Sequence, residues 1–404
     1  MDINRIPGGP NVDMTARFHD LYGGEKPDAF FAPGRVNLIG EHTDHEGGHV
    51  FPCAIAFGIW ALAAVRPGKT LRLCSLNFEE KGVVEAPLHA LEHDPARGRK
   101  ETRFAGWANY PLGVIRVLEE HGHPLPAGLD LLFWGNLPEG AGLSSSAAIE
   151  VLTARIANDL FGLGLDGVKL AVLSQEAENK FIGVQCGIMD QFAVSMGKKD
   201  HAILLDCAKL EYRYAPLALG DCKLVITNSN VPHSLASSEY NLRRQQCEAA
   251  LADIRRLRPG IKNLCELSRE DFDAVKDAIK TPEALRRARH AITEDARALR
   301  AVAALEGGDL ATFGELMKGS HLSLRDDYQV TVPELDALAE LAWAQPGVVG
   351  SRMTGGGFGG CTVSIVKEAA VEDFIREVGE GYTKRTGRTA SFYVTETSDG
   401  AGRV

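Results

Sequence analysis

With 404 residues, 45% of them hydrophobic and 24% charged, the chain exceeds what a single hydrophobic core usually serves, so two packed domains with a ligand cleft between them are expected. Its formal net charge of −10 excludes a general nucleic-acid binder, because phosphate backbones reward basic surfaces. An anionic small ligand would instead need a local positive site, which the N–H groups at a helix start can supply.

The opening stretch MDINRIPGGPNVDM has no apolar signal core, and no run approaches the ~18 apolar residues of a membrane span. The eight cysteines, Cys53, Cys74, Cys186, Cys207, Cys222, Cys247, Cys265 and Cys361, are scattered with no CxxC pair. They read as reduced thiols of a cytoplasmic protein, and no structural zinc is expected. There is no internal repeat, so the chain reads as alternating strands and helices.

The first chemistry-bearing stretch is APGRVNLIGEHTDHEGGH at 32–49. A short apolar run leads into Glu41, His42, Thr43 and Asp44, which suit directional hydrogen bonds to a polyhydroxylated ligand. Arg35 carries a permanent charge suited to a transferring phosphate. His42, Asp44, His45 and His49 also make a possible metal box, ranked lower because their spacing matches no standard zinc motif. A solvated loop is the plain alternative.

Residues 59–65 and 131–134 read as strands bounded by turns. After the second comes LPEGAGLSSSAA at 137–148, whose small residues allow close backbone approach to a polyphosphate. A helix follows, with Ile149, Leu152, Ile156 and Leu160 on an apolar stripe, Glu150, Thr153 and Asn158 elsewhere on the wheel, and Gly162 at its end. Its start offers unpaired N–H groups and a favourable dipole, while Ser144, Ser145 and Ser146 offer hydroxyls to phosphate or Mg²⁺. A serine-capped helix after a tight turn explains the same residues. Neither a GxxxxGK[ST] loop nor a GxGxxG fingerprint in the proper βαβ context is present.

A second helix is expected over 170–180, stopping near Gly183, and a third close to Asp190. At a helix start the dipole favours the charged form of Asp190, which suits a proton acceptor, and Glu178 could give a hard oxygen to Mg²⁺. An ordinary helix-start carboxylate and an exposed helix charge are the alternatives. Strands are expected at 202–205 and 224–227, with a domain boundary at about 210–225. Helices over 282–305, 310–324 and 333–343 follow, then strands at 347–353 and 361–366. Between these last two, MTGGGFGGC at 353–361 signals unusual dihedrals or close ligand approach, or a flexible hairpin.

Together, APGRVNLIGEHTD at 32–44, GAGLSSSAA at 140–148, CGIMDQ at 186–191 and MTGGGFGGC at 353–361 resemble the GHMP sugar kinases and, more closely, the galactokinases. SLASSEYN at 234–241 and RDDYQVTVPELD at 325–336 strengthen the resemblance, which runs from about residue 29 to the end. It implies an α+β chain with an N-terminal α/β domain of the ribosomal protein S5 domain 2-like type, residues 1–215, and a C-terminal ferredoxin-like domain, residues 216–404. The implied reaction is ATP plus D-galactose giving galactose 1-phosphate and ADP, the first step of galactose catabolism.

The resemblance also implies site roles. Asp190 would be base or orienting group, and Arg35 would stabilise the transition state. Glu41, His42, Thr43, Asp44, Gly187 and Tyr240 would hold the sugar. Gly140, Ala141, Gly142, Leu143, Ser144, Ser145 and Ser146 would hold the nucleotide phosphates, Trp107 the adenine, and Ser146 with Glu178 the Mg²⁺. Galactose sensors of similar sequence lose a Ser-Ala pair that this chain keeps at Ser146-Ala147, and GEHTD with SSEYN argues for a sugar over mevalonate or homoserine. The family usually reads HTDY then Asn, whereas here His45 and Glu46 follow Asp44. That departure opens galactosamine or another galactose-like hexose as substrate, although a solvent-facing His45 is expected to alter nothing.

Overall fold

The computed structural model describes residues 9–24, 26–91, 106–138, 140–231 and 236–404. Residues 1–8, Glu139 of the LPEGAGLSSSAA segment and the start of SLASSEYN lie outside them. The first half runs α1 (Met14–Tyr22), β1 (Asp28–Asn37), β2 (His49–Val50), β3 (Pro52–Arg66), β4 (Thr70–Ser75), β5 (Val84–Pro87), α2 (Asn109–Glu120) and β6 (Gly128–Gly135). It continues with α3 (Ser145–Phe161), α4 (Gly167–Ala177), α5 (Met189–Met196), β7 (His201–Asp206) and β8 (Glu211–Pro216). The second half runs β9 (Cys222–Asn228), α6 (Ala236–Ile254), α7 (Arg269–Val275), α8 (Pro282–Glu306), α9 (Leu310–Ser323) and α10 (Pro333–Trp343). It closes with β10 (Val348–Thr354), β11 (Cys361–Lys367), α11 (Val371–Thr386), β12 (Ser391–Thr395) and β13 (Gly402–Arg403).

The first sheet has the order β13-β1-β3-β6-β4-β5. Its pairs are antiparallel except β4 with β6, and β1 steps register between Pro33 and Gly34. Residues alternate between two covered faces, which is why β3 and β6 read as continuous apolar runs. Phe30, Ala61, Ala63, Leu131 and Phe133 pack beneath helices α2, α3 and α4, while Trp60, Leu62 and Leu132 meet Met14 and Phe18 of α1. A small sheet, β2-β7-β8, lies beside it.

The other main sheet has the order β10-β11-β9-β12, antiparallel throughout. With helices following β9 and β11, this is the ferredoxin-like arrangement, and the chain is an α+β protein. Helices α10 and α11 cover one face through Ala337, Leu338, Phe374, Val378 and Tyr382. On the opposite face, Leu224, Ile226, Val363 and Ile365 share one core with Val36, Leu38, Ile39 and Phe51 of the first half. The chain changes sheets between Pro216 and Cys222, and its last residues return to pair β13 with β1.

Helix α3 departs from the amphipathic expectation. Glu150 and Thr153, read as off the apolar stripe, are both 0% exposed. The helix is enclosed by α2, α4, α5 and the sheet, so these two residues face protein. The helices over 236–254 and 371–386 lie outside the sequence expectations; charged residues dilute the apolar spacing of the first, whereas the second buries Phe374, Val378 and Tyr382 on one face.

Helix α8 of the second half braces the loop after β1. Glu294 accepts from Gly40 N at 2.9 Å, Asp295 from His49 N at 2.5 Å, and the His290 ring meets Glu41 O at 3.0 Å and Ser323 Oγ at 2.9 Å. Burial pushes His290 down to about 4, with Arg297 and Arg352 adding to the shift and Glu294 opposing it. A depressed histidine leaves the folded form with fewer protons than the unfolded one between about 4 and 6.5, so stability falls with acidification across that window. His290→Gln is expected to flatten the fall in denaturation midpoint between pH 6.5 and 4, measured by urea unfolding; an unchanged slope would show that His290 does not titrate there.

Candidate active site

The loop at 137–144 leaves β6 and turns into α3 through Gly140 (φ 62°), Gly142 (φ 69°) and Ser144 (φ 64°). Ser144 occupies the cap position of α3, but its left-handed backbone gives no capping bond. Its hydroxyl donates instead to Asp190 Oδ2 at 2.6 Å. The serine-cap alternative therefore fails at Ser144, and the first-turn N–H groups of α3 keep the intrinsic lack of intrahelical partners that suits an anion.

Arg35 binds the same carboxylate. Its Nε and Nη2 donate to Asp190 Oδ1 and Oδ2 at 2.9 and 2.8 Å, and its Nη1 donates to Gly142 O at 2.7 Å. Two parallel bonds fix the plane of the carboxylate. Arg35 is 3% exposed, whereas the Asp190 side chain remains 28% exposed at the start of α5.

A cavity of about 140 Å³ opens on that exposed side, lined among others by Arg35, Glu41, His42, Asp44, Gly187, Asp190 and Tyr240. Glu41 accepts from Gly355 N at 2.5 Å and from the Asn37 amide, with Arg352 Nη1 at 3.5 Å. Burial holds its carboxyl above the usual range, against the pull of Arg352 and Arg35. Burial also keeps His42 well below its ordinary value. Because the Gly356 carbonyl 3.2 Å away can only accept, the neutral ring carries its proton on Nε2 and leaves Nδ1 as an acceptor.

Asp44 is buried, yet bonds from His45 outweigh the desolvation and hold it below the usual carboxylate range. Gly187 is required here sterically, since a Cβ would lie 2.0 Å from Asp44 Oδ2. Thr43 stands apart from the cavity. It is 0% exposed, with its hydroxyl 2.9 and 2.8 Å from the Gly40 and His49 carbonyls, and it braces the loop.

His45 does not face solvent as expected. Its side chain is 2% exposed, with Nδ1 3.1 Å from Asp44 Oδ1 and Nε2 3.2 Å from the Tyr328 hydroxyl. Nor do His42, Asp44, His45 and His49 form a metal box, because His49 turns to Asp295 at 2.9 Å. Among the described residues, the one His/Cys/Asp/Glu group with mutually close donor atoms is His45, Glu46 and Cys247.

Glu178 is not an exposed helix charge. It is 7% exposed at the π-helical turn that ends α4, hydrogen-bonded to Ser146 and, at 2.6 Å, to Gln191 Nε2. Burial, then Asp190, pushes its carboxyl up to about 7. Gln191 also donates to Glu150 at 3.1 Å, so one amide bridges two buried carboxyls. Glu150 and Gln191 escaped sequence reasoning as site residues. Gln191 lay inside a quoted motif, but nothing linear ties Glu150 to Glu178.

A second cavity, about 200 Å³, is lined by Gly140 to Ser146 together with Arg35, Asp190 and Gly356. A third, about 220 Å³ and mostly apolar, holds Trp107, Tyr110, Phe133 and Ile149 and shares Leu137, Pro138, Ser145 and Ser146 with the second. The three cavities are thus contiguous. The glycine-rich loop closes one side, and a Cβ at Gly355 (φ 83°) would stand 2.8 Å from Gly142 O. Close approach, not a free hairpin, explains that glycine.

Residues 109–198 match the GHMP kinases N terminal domain, residues 301–384 the GHMP kinases C terminal region, and residues 16–65 the galactokinase galactose-binding signature. Over 391 residues the chain is 51% identical to the galactokinase of Clostridium beijerinckii, covering 97% of this chain and 98% of that protein. The chain belongs to the galactokinase family. A galactokinase of Lactococcus lactis, solved in complex with galactose, is similar at 43% identity and a TM-score of 0.92, covering 97% of this chain and 99% of that one. A mevalonate kinase of Methanococcus jannaschii, at 15% identity and a TM-score of 0.63 over 92% of this chain and 98% of that one, shares the fold alone.

In this galactokinase-family site, Glu41 depends on Arg352, which is 0% exposed and has Nε and Nη2 without hydrogen-bond partners. Removing a buried partner strands the other charge. Arg352→Met is expected to lower unfolding free energy by about 3 kcal/mol, measured by urea denaturation, and Glu41→Gln in the same chain to recover part of it. A full loss in the double variant would show that the two side chains do not act as a pair.

Proposed function

We propose that the chain transfers the γ-phosphoryl group of ATP to the anomeric hydroxyl of D-galactose, giving galactose 1-phosphate and ADP. The observation that carries this reading is the wall of Arg35, Asp190 and Gly356 common to the polar cavity and the phosphate-loop cavity. Sugar in the first and triphosphate in the second would meet at Asp190. Family membership supplies the substrate class.

In this reading Glu41, His42, Asp44, Gly187 and Tyr240 bind the sugar, Thr43 holds the loop that presents them, and Gly140 to Ser146 bind the phosphates. Trp107 lies against adenine in the apolar cavity. Asp190 takes the hydroxyl proton or fixes its direction as the sugar oxygen bonds to phosphorus, the phosphorus–oxygen bond to ADP breaks, and ADP leaves with the bonding pair. Arg35 orients Asp190 and stands by the charge that develops on the phosphoryl oxygens. Most of the work is positioning.

Ser146 and Glu178 offer hard oxygens, and Glu178 is buried with the Asp190 carboxylate near it, an oxygen set that fits Mg²⁺. Held there with ATP, the ion would supply neutralisation of phosphate charge. The free thiols suit a cytoplasmic setting, and no described helix is long and apolar enough to cross a membrane. The proposed domain division at about 215/216 is supported by the change of sheets between β8 and β9, while β13 returns to the first sheet.

A coupled ADP-release assay across a hexose panel, with the product position read by NMR, tests the reaction. Turnover with D-galactose and phosphate on C1 are expected; phosphate on C6, or no sugar-dependent turnover, would defeat it. Asp190→Ala is expected to lower kcat by at least about 1,000-fold while ATP still binds by calorimetry. Near-normal turnover would remove Asp190 from the mechanism.

A further inference from the structure

Behind the polar cavity, on the side of Asp44 away from Asp190, His45 and Glu46 on the turn after β1 face Cys247 on α6. Glu46 is 3% and Cys247 0% exposed. One nitrogen, one carboxylate oxygen and one sulfur lie within 4.8 Å of one another. His45 Nε2 and Glu46 Oε1 are 3.6 Å apart. Ligand atoms about 2.0–2.3 Å from a tetrahedral Zn²⁺ stand roughly 3.5 Å from each other, so that edge is already formed.

The surroundings add two arguments. Nδ1 of His45 is engaged by Asp44 Oδ1 at 3.1 Å, which leaves Nε2 toward Glu46. A carboxylate on the distal nitrogen is how proteins fix the tautomer and orientation of a metal-binding imidazole. The charges also balance, because a thiolate, a carboxylate and a neutral imidazole together compensate a dication at a largely buried cluster. A cavity of about 310 Å³, lined by Asp44, His45, Arg244 and Cys207, reaches the cluster at His45.

We propose that His45, Glu46 and Cys247 form a site for a borderline-soft divalent cation such as Zn²⁺, separate from the Ser146–Glu178 oxygens that suit Mg²⁺. Mixed N, O and S donors select Zn²⁺ over Mg²⁺, which prefers oxygen and water. The Tyr328 hydroxyl, 3.2 Å from His45 Nε2 and 3.7 Å from Cys247 Sγ, marks the fourth position, open to water or to that hydroxyl. The expectation of no structural zinc rested on the absence of a CxxC pair. It could not weigh a site whose ligands come from residues 45, 46 and 247.

The test uses the full chain stripped with a chelator, then loaded with Zn²⁺ in excess Mg²⁺ and desalted, with Co²⁺ as a spectroscopic probe. One equivalent of Zn²⁺ per chain is expected, with a thiolate-to-Co²⁺ charge-transfer band. Cys247→Ser should abolish the band, and Glu46→Gln, nearly isosteric, should weaken Zn²⁺ binding at least about tenfold while circular dichroism stays unchanged. Cys265→Ser, which alters another thiol packed on this loop, should keep both metal and band. Substoichiometric Zn²⁺ in the unaltered chain, or full retention in both the Cys247 and Glu46 variants, would overturn the proposal.

Discussion

The paired hydrogen bonds between Arg35 and Asp190 hold the centre of this molecule together. Arg35 comes from β1 just past the Pro33/Gly34 register step, Asp190 from the first turn of α5, and the remaining guanidinium nitrogen takes the Gly142 carbonyl of the phosphate loop. Three segments distant in sequence are thereby set within one rigid fork of donors. A lysine, with a single ammonium on a flexible stem, could not hold all three acceptors in plane. The left-handed Ser144 adds its hydroxyl to the same carboxylate, so the loop's conformation and the direction of Asp190 are one constraint.

The second half of the chain closes the site by supporting what the first half presents. Glu294, Asp295 and His290 of α8 take backbone groups of the loop carrying Glu41, His42 and Asp44, Arg352 of β10 compensates Glu41, and Gly355 donates to the same carboxylate. Buried polar groups must be paired to be tolerated, and here the pairing crosses between the two main sheets. A shared apolar core beneath, from Val36 and Ile39 to Ile226 and Val363, makes relative movement of the halves costly.

Two buried carboxyls, Glu150 and Glu178, meet beside Ser146 under a single bridging amide, Gln191. Burial raises both, Glu150 well above the usual range and Glu178 to about 7. Such a concentration of acid with hydroxyl and amide partners is costly to fold, and perturbed carboxyls of this kind cluster at functional sites. The π-helical turn at Glu178–Ile182 lies where Glu178 leaves α4, a distortion often found at functional positions.

The sequence by itself determined the main strands and helices that carry apolar periodicity, the helix after the phosphate loop with its Gly162 end, and four motif segments whose residues converge on one cleft. Those features are local, because periodicity, capping and glycine placement act within a few residues. The tertiary structure alone decided which polar residues line the cavities and which face protein. Thr43 and His45 stand beside Asp44 in the chain, yet one braces backbone carbonyls and the other is buried against Asp44 and Tyr328. Glu150 and Glu178 belong to different helices, and Glu46 and Cys247 are separated by most of the first half. Burial and pairing over such separations depend on how sheets and helices pack, and no spacing rule along the chain encodes them.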